Sequence, residues 1–197
     1  MNARIPLLAL LAAASLSACS KPEAETEAVK PTENNIAQYV DANAGTIASN
    51  TRSSGPWELG VVFSASVAGK LTQVGTRMPE PGMYRVTVWD FDTQTVLRQK
   101  TVEQSSPDQL TLANVDALGL TPNKKYVISV NSQSGGANKK YFFAAKNGGG
   151  DWLPFTKGST LVHSACYSKT APAKFPNDVS SVKSELYGYP EFTFVAD

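Results

Sequence analysis

The nearly balanced charge of this chain, 18 Lys and Arg against 17 Asp and Glu, excludes a global positive field that would attract nucleic acid. Its 197 residues leave about one domain once an N-terminal export segment is set aside. Because the sequence has a single histidine, neither a hydrolytic triad nor a zinc site is expected, and no cofactor is implied.

The first 18 residues have the pattern of an export signal. Arg4 gives a short positive end, and the apolar stretch from Ile5 to Leu16 follows it. This stretch is shorter than the roughly 20 apolar residues that a transmembrane helix needs. Residues 1–18 are therefore predicted to be a lipoprotein signal peptide.

The tetrapeptide Leu16-Ser17-Ala18-Cys19 resembles the lipobox of bacterial lipoproteins. Cys19 is therefore the predicted lipidation site, and the alternative is an ordinary secretory signal in which Cys19 is incidental. Two or more acyl chains would anchor the protein stably to a membrane. Ser20 stands where an Asp would resemble an inner-membrane retention signal, which favours the outer membrane, with the domain facing the periplasm or the cell surface.

Residues 19–56 are predicted to be a tether that links the lipidated cysteine to the domain. The stretch from Ser20 to Asn35 is polar and acidic, with two prolines and almost nothing to bury. Residues 36–54 contain a few apolar side chains and are predicted to form a short helix or a leading strand.

Residues 57–197 show the alternation of apolar and polar side chains that is typical of half-buried β-strands. Leu59, Val61 and Phe63 fall on one face of the first run, and turn-forming clusters separate the runs. About eight or nine short strands without a long helix predict an antiparallel β-sandwich. The further strand candidates are 70–77, 83–89, 95–102, 109–112, 125–131, 140–145, 160–167 and 191–196.

Several strand segments carry a family resemblance, namely Glu58–Phe63, Val67–Leu71, Tyr84–Asp90 and Leu120–Asn131. Together they resemble the domain of unknown function 4082 family over about residues 57–196. The resemblance implies an immunoglobulin-like sandwich of secreted bacterial proteins, often found beside carbohydrate-active or adhesive domains. It implies binding or display and carries over no catalytic residue. The chain departs from the family pattern at Pro79–Gly82, which replaces a glycine-rich insert.

Two pairs of residues could carry chemistry. His163 and Cys166 suggest a thiol nucleophile with a base, but strand alternation predicts them on opposite faces, which favours a buried structural cysteine. Asp90 and Asp92 flank a strand end, where an Asp commonly bonds the local backbone; calcium binding and glycoside hydrolysis are the alternatives. No catalytic or metal-binding residue is therefore predicted.

Aromatic residues in two turn-rich segments suggest a ligand platform, because sugar rings stack their C–H faces on exposed aromatic side chains while amides and carboxylates bond the hydroxyls. The alternative is that these rings plug the ends of the core. The candidate ligand-binding residues are Asn147, Asp151, Trp152, Phe155, Tyr187 and Tyr189.

Two function classes follow, and an enzyme comes third. The first is a non-enzymatic module that binds a glycan or the cell-envelope surface, and the second is a structural lipoprotein that docks a protein partner. Sugar binding predicts exposed, coplanar aromatic rings beside polar groups. Protein docking predicts a contiguous apolar patch or an unprotected edge strand.

Overall fold

The structure, a computed structural model, describes residues 30–197. The predicted signal peptide and the lipidation site Cys19 lie outside the described residues. Among residues 30–197, no helix has the length and apolarity needed to cross a bilayer.

One helix and sixteen strands form over the described part of the chain. The helix α1 spans Asn35–Ala42. The strands are β1 Thr32–Glu33, β2 Ile47–Arg52, β3 Glu58–Ala65, β4 Gly69–Thr76, β5 Gly82–Asp90, β6 Val96–Gln104, β7 Thr111–Leu120, β8 Tyr126–Asn131, β9 Gln133–Ser134, β10 Ala137–Asn138, β11 Tyr141–Lys146, β12 Phe155–Lys157, β13 Thr160–Ser168, β14 Asp178–Val179, β15 Glu185–Tyr187 and β16 Pro190–Ala196.

The strands form a β-sandwich in which every pairing is antiparallel, as the sequence predicts. One sheet has the order β12-β13-β3-β8-β5-β6, with β14 beside β13. Facing it are a four-stranded sheet, β1-β16-β4-β7, and a three-stranded sheet, β15-β11-β2. Phe63 of β3 stacks on Phe192 of β16 at 4.4 Å between ring centroids, so the two layers meet through the core.

The folded domain begins further toward the N-terminus than the predicted boundary at residue 57. Thr32 pairs with Val195, and β2 pairs along its whole length with β11. Ile36 and Val40, one helical turn apart in α1, are buried in the core together with Ile47. From Thr32 onward the chain therefore belongs to the folded domain. The helix α1 and the strand β2 form where residues 36–54 are predicted to hold a short helix or a leading strand, because these few apolar side chains are spaced to bury one face of a helix and one strand.

Helix α1 is capped by a residue from the opposite end of the chain. Glu191 of β16 is fully buried, and its Oε2 accepts a hydrogen bond from the backbone N–H of Ala37 at 2.6 Å. A carboxylate beside the first turn satisfies helix N–H groups that have no partner within the helix. Burial raises the pKa of Glu191 to about 7, against the lowering effect of these N–H donors. The contact fixes α1 against the four-stranded sheet.

Candidate aromatic binding pocket

Trp152 and Phe155 do not form an exposed platform. Trp152 is 9% exposed and Phe155 is 5% exposed. Both rings stack with Tyr39 of α1, at centroid distances of 6.0 Å for Trp152 and 3.7 Å for Phe155. The Trp152 Nε1 donates a hydrogen bond to the backbone oxygen of Ser184 at 2.7 Å. These two residues plug the core beneath the helix, as the alternative interpretation expects, rather than form an exposed platform. One edge of Trp152 also lines an open cavity of about 370 Å³ with Tyr39 and Asp151, so ligand binding by these residues stays a prediction.

The other candidate residues lie in three different settings. Tyr189 is 3% exposed, stacks on Phe142, and shares a hydrogen bond of 2.6 Å with the Ser49 hydroxyl. Asn147 and Asp151 are exposed at the ends of a loop whose three glycines all have positive φ. Asp151 lies at one open cavity with Trp152 and Tyr39, and Tyr187 lies at another with three further aromatic rings.

That cavity is the candidate site, and we call it the aromatic pocket. It has a volume of about 220 Å³ and opens where the three-stranded sheet meets β3 and β13. Strand register places Arg52 opposite Tyr141 and Phe143 opposite Tyr187, so these four side chains share the outer face of the three-stranded sheet. The lining residues are Arg52, Trp57, Leu59, Tyr141, Tyr167 and Tyr187.

The Tyr167 ring of the aromatic pocket stands at right angles to each of two neighbouring rings. The Trp57 and Tyr167 rings meet edge to face, with centroids 6.0 Å apart and an interplanar angle of 88°. Tyr167 and Tyr187 repeat the arrangement at 6.0 Å and 90°. Ser54 fixes the outer wall, because its Oγ accepts from the Trp57 Nε1 at 3.1 Å and lies 3.0 Å from the Tyr141 hydroxyl. The rings therefore enclose a corner rather than a flat, coplanar platform.

Charged groups stand at the rim of the aromatic pocket. The Arg52 guanidinium lies over the Phe143 ring, 4.1 Å from its centroid, and 5.6 Å from the centroid of Tyr187. The Tyr187 hydroxyl donates a short hydrogen bond to Glu185. Burial, with the Glu185 carboxylate beside it, raises the pKa of Tyr187 to about 12. The phenol therefore stays neutral at physiological pH and serves as a donor, not as a base.

The sequence did not single out Trp57, Tyr141 or Tyr167. Tyr141 and Tyr167 lie within predicted strands, and Trp57 lies at the start of one, where aromatic residues are expected to face the core. Their common position at the seam between two sheets follows from long-range pairing. No local pattern in the sequence signals it.

A buried polar network lies on the outer face of the larger sheet, and we call it the Glu58 network. The Trp89 Nε1 donates to the Ser129 hydroxyl at 2.8 Å, which donates to the Glu58 carboxylate at 2.6 Å. Arg85 and Asn131 also donate to Glu58, at 2.9 and 3.0 Å. Arg85 also donates to the backbone carbonyl of Ala171, and Asn131 donates to that of Thr170. These two bonds hold the loop after β13 against the sheet.

The Glu58 network gathers residues from the segments that carry the family resemblance: Glu58, Trp89 and Ser129 occupy its "ELG", "LWD"-like and "VSV"-like positions. The family model described as a domain of unknown function, DUF4082, matches residues 43–188. The chain belongs to the DUF4082 family. A comparison with curated proteins finds no match. The matched range includes β2, in agreement with the earlier start of the folded domain.

In this DUF4082 domain, strand alternation fails at His163, because the register of β13 shifts between Val162 and Ser164. The His163 Nε2 lies 2.9 Å from the Ser64 hydroxyl, which belongs to the outer face of the sheet, as does Cys166. The predicted separation of His163 and Cys166 on opposite faces is therefore wrong. Cys166 is fully buried, and burial raises the pKa of its thiol, which keeps it protonated and unreactive.

Asp90 of the DUF4082 domain bonds the local backbone, which confirms the predicted Asx-turn. Its Oδ1 accepts from the N–H groups of Asp92 and Thr93, each at 3.0 Å. Lys124 lies 2.6 Å from the other oxygen and, with these bonds, lowers the pKa of Asp90 to about 2. Over residues 30–197, no three His, Cys, Asp or Glu side chains are grouped as metal ligands would be.

Proposed function

We propose that this chain is a lipid-anchored envelope protein whose DUF4082 domain binds a glycan of the cell envelope, without catalysis, through the aromatic pocket. The observation that carries the proposal is the open cavity walled by Trp57, Tyr167 and Tyr187, with Arg52 and Glu185 at its rim. Such a site combines apolar walls with a few polar groups, which is the usual composition of a small-ligand site.

The edge-to-face rings are not the coplanar platform expected for sugar binding, but their apolar faces and the charged groups at the rim still fit a single saccharide ring. A cavity of about 220 Å³ suits a single ring rather than a long, flat chain segment. The aromatic walls offer C–H stacking, while Arg52 and Glu185 can donate to and accept from ring hydroxyls. If nucleobase stacking is a fair guide, each stacked ring contributes about 1–3 kcal/mol, so two stacked rings supply about the 4 kcal/mol that corresponds to millimolar affinity. Many copies on one membrane would add avidity.

The polar groups of the aromatic pocket support binding rather than turnover. The Tyr187 phenol is held neutral, and the Glu185 carboxylate is engaged by the Tyr187 hydroxyl and lies 3.5 Å from the Arg52 guanidinium. Retaining and inverting glycosidases need two carboxyl groups about 5 to 9.5 Å apart across the reacting bond. The residues that line the pocket carry no carboxylate, and Glu185 lies at the rim beside Arg52.

Docking of a protein is the second candidate function, and an open strand edge favours it. β2 is the last strand of its sheet in the described part of the chain, and residues 49–52 are exposed. An extended segment of a partner could add to this edge through main-chain hydrogen bonds. Arg52 would then lie beside the added strand, so both candidate functions use the same corner of the domain.

The glycan proposal predicts that removal of one pocket wall weakens binding by about tenfold. In a titration of the chain from Ser20 to Asp197 against envelope polysaccharides, Tyr167→Ala should lose a stacking face, whereas Phe91→Ala, on the far face of the larger sheet, should bind as the wild type does. Phe91 is a matched control because it is also a half-buried aromatic residue. Equal affinity of Tyr167→Ala and the wild type would exclude the aromatic pocket as the site.

The anchor proposal predicts that Cys19→Ala moves the protein from the membrane fraction to the soluble fraction. The physical reason is that the acyl chains on Cys19 supply the membrane affinity, while the lipobox pattern supplies their attachment site. Membrane fractionation and mass spectrometry of the N-terminal peptide measure the result. Full retention of the Cys19→Ala protein in membranes, with no acyl chains on the wild type, would contradict it.

A further inference from the structure

We infer that the aromatic pocket selects acidic sugars, of the uronic acid class, through Arg52. The inference rests on the proposed glycan-binding function and adds to it the charge of the ligand. Three observations carry it: how the guanidinium of Arg52 is held, how weakly it is paired, and where it stands relative to the aromatic walls.

The Arg52 guanidinium is held in a fixed position by aromatic rings. It lies 4.1 Å from the centroid of Phe143, a neighbour on the same sheet face, and 5.6 Å from the centroid of Tyr187. Stacking on ring faces orients a planar guanidinium while leaving the N–H groups at its edge free to donate. Arg52 is also the last residue of β2, so its backbone position is set by pairing with Tyr141.

The pairing of Arg52 with Glu185 is weak. The closest nitrogen to oxygen distance is 3.5 Å, longer than the 2.7–2.9 Å of a charge-assisted hydrogen bond. The two side chains are 43% and 26% exposed, so solvent screens their attraction. The same Glu185 oxygen already accepts the Tyr187 hydroxyl. A ligand carboxylate that accepts hydrogen bonds from two nitrogens of Arg52 would therefore replace the long Arg52–Glu185 ion pair with a stronger, bidentate one.

The position of Arg52 matches the chemistry of a uronic acid. In such a sugar, a planar carboxylate projects from a ring whose C–H faces are apolar. The ring can enter the aromatic pocket between Trp57, Tyr167 and Tyr187 while the carboxylate meets the guanidinium at the rim. A neutral sugar could stack on the same rings, but it has no carboxylate to accept two parallel hydrogen bonds from the Arg52 guanidinium.

The test compares oligomers of galacturonate, glucuronate and mannuronate with their methyl esters, which keep the ring and remove the charge. With the chain from Ser20 to Asp197 at pH 7, at least one acid oligomer should bind about tenfold more tightly than its ester. Arg52→Gln should remove the difference, and Glu185→Gln should tighten acid binding about threefold because the competing carboxylate is gone. Lys100→Gln, an exposed site on β6, controls for net charge and should change nothing.

A gain of affinity in Glu185→Gln cannot come from damage to the fold, so that variant keeps the test decisive even if Arg52→Gln is unstable. Equal binding of acids and esters, lost in Tyr167→Ala, would overturn the acid preference and leave the glycan proposal standing. Equal, Arg52-dependent binding of polyglutamate would overturn the preference for a sugar and favour an acidic protein partner. No binding of any saccharide would overturn both proposals.

Discussion

Replacement of Glu58 with alanine should lower the free energy of unfolding by about 3–5 kcal/mol, because it leaves a largely buried cation without its partner. The Glu58 carboxylate is 0% exposed and accepts hydrogen bonds from Arg85, Ser129 and Asn131. The Arg85 side chain is 25% exposed. Urea denaturation of the wild type and of Glu58→Ala measures the change.

Two further variants separate the charge effect from simple loss of packing. Glu103→Ala, an exposed glutamate on β6, should change stability by less than about 0.5 kcal/mol. The double variant Glu58→Met, Arg85→Met removes both charges and should recover much of the loss, since buried ion pairs are often replaceable by apolar side chains. A loss below about 1 kcal/mol in Glu58→Ala would show that the Glu58 network does not hold the loop after β13.

The sandwich could be predicted because its longer strands alternate apolar and polar side chains. Each predicted run overlaps one observed strand, from the run at Leu59–Phe63 in β3 to the run at 191–196 in β16. Six of the sixteen strands have only two or three residues, too few to show a pattern. β7 extends to Leu120, past the predicted end at Leu112. Between the pairs Leu71–Leu118 and Gln73–Asn114, β7 has two more residues than β4, and this bulge breaks the alternation in β7.

The candidate site could be predicted only in part, because it depends on contacts between distant segments. The glycine-rich loop next to Trp152 indicated exposure, but Tyr39, more than 100 residues earlier in the chain, covers that ring. Tyr187 is one of the residues predicted to bind a ligand, and it lies at the aromatic pocket. Its partners Trp57 and Tyr167 lie on separate strands that meet only when the sheets assemble. The composition indicated that aromatic residues form the site, but the strand pairing determines which of these residues line a cavity.

A fragment that starts at Trp57 should fail to fold cooperatively, whereas the fragment of residues 30–197 should unfold in a single cooperative transition. The shorter fragment lacks Ile36, Val40 and Ile47, each buried in the core. Burial of one such side chain contributes about 1.5–3 kcal/mol, so their joint loss removes a large part of the roughly 5–15 kcal/mol that stabilises a typical domain. Circular dichroism on heating measures both fragments.

The loss of β2 adds to the loss of the three apolar side chains. Without β2, strand β11 becomes a new sheet edge. Without α1, the buried Glu191 carboxylate loses the hydrogen bond that it accepts from the backbone N–H of Ala37. An unpaired strand edge promotes association between copies, so the shorter fragment should also aggregate, which light scattering detects. Coincident, sharp melting curves for the fragments that start at residues 30 and 57 would contradict this account and restore residue 57 as the domain boundary.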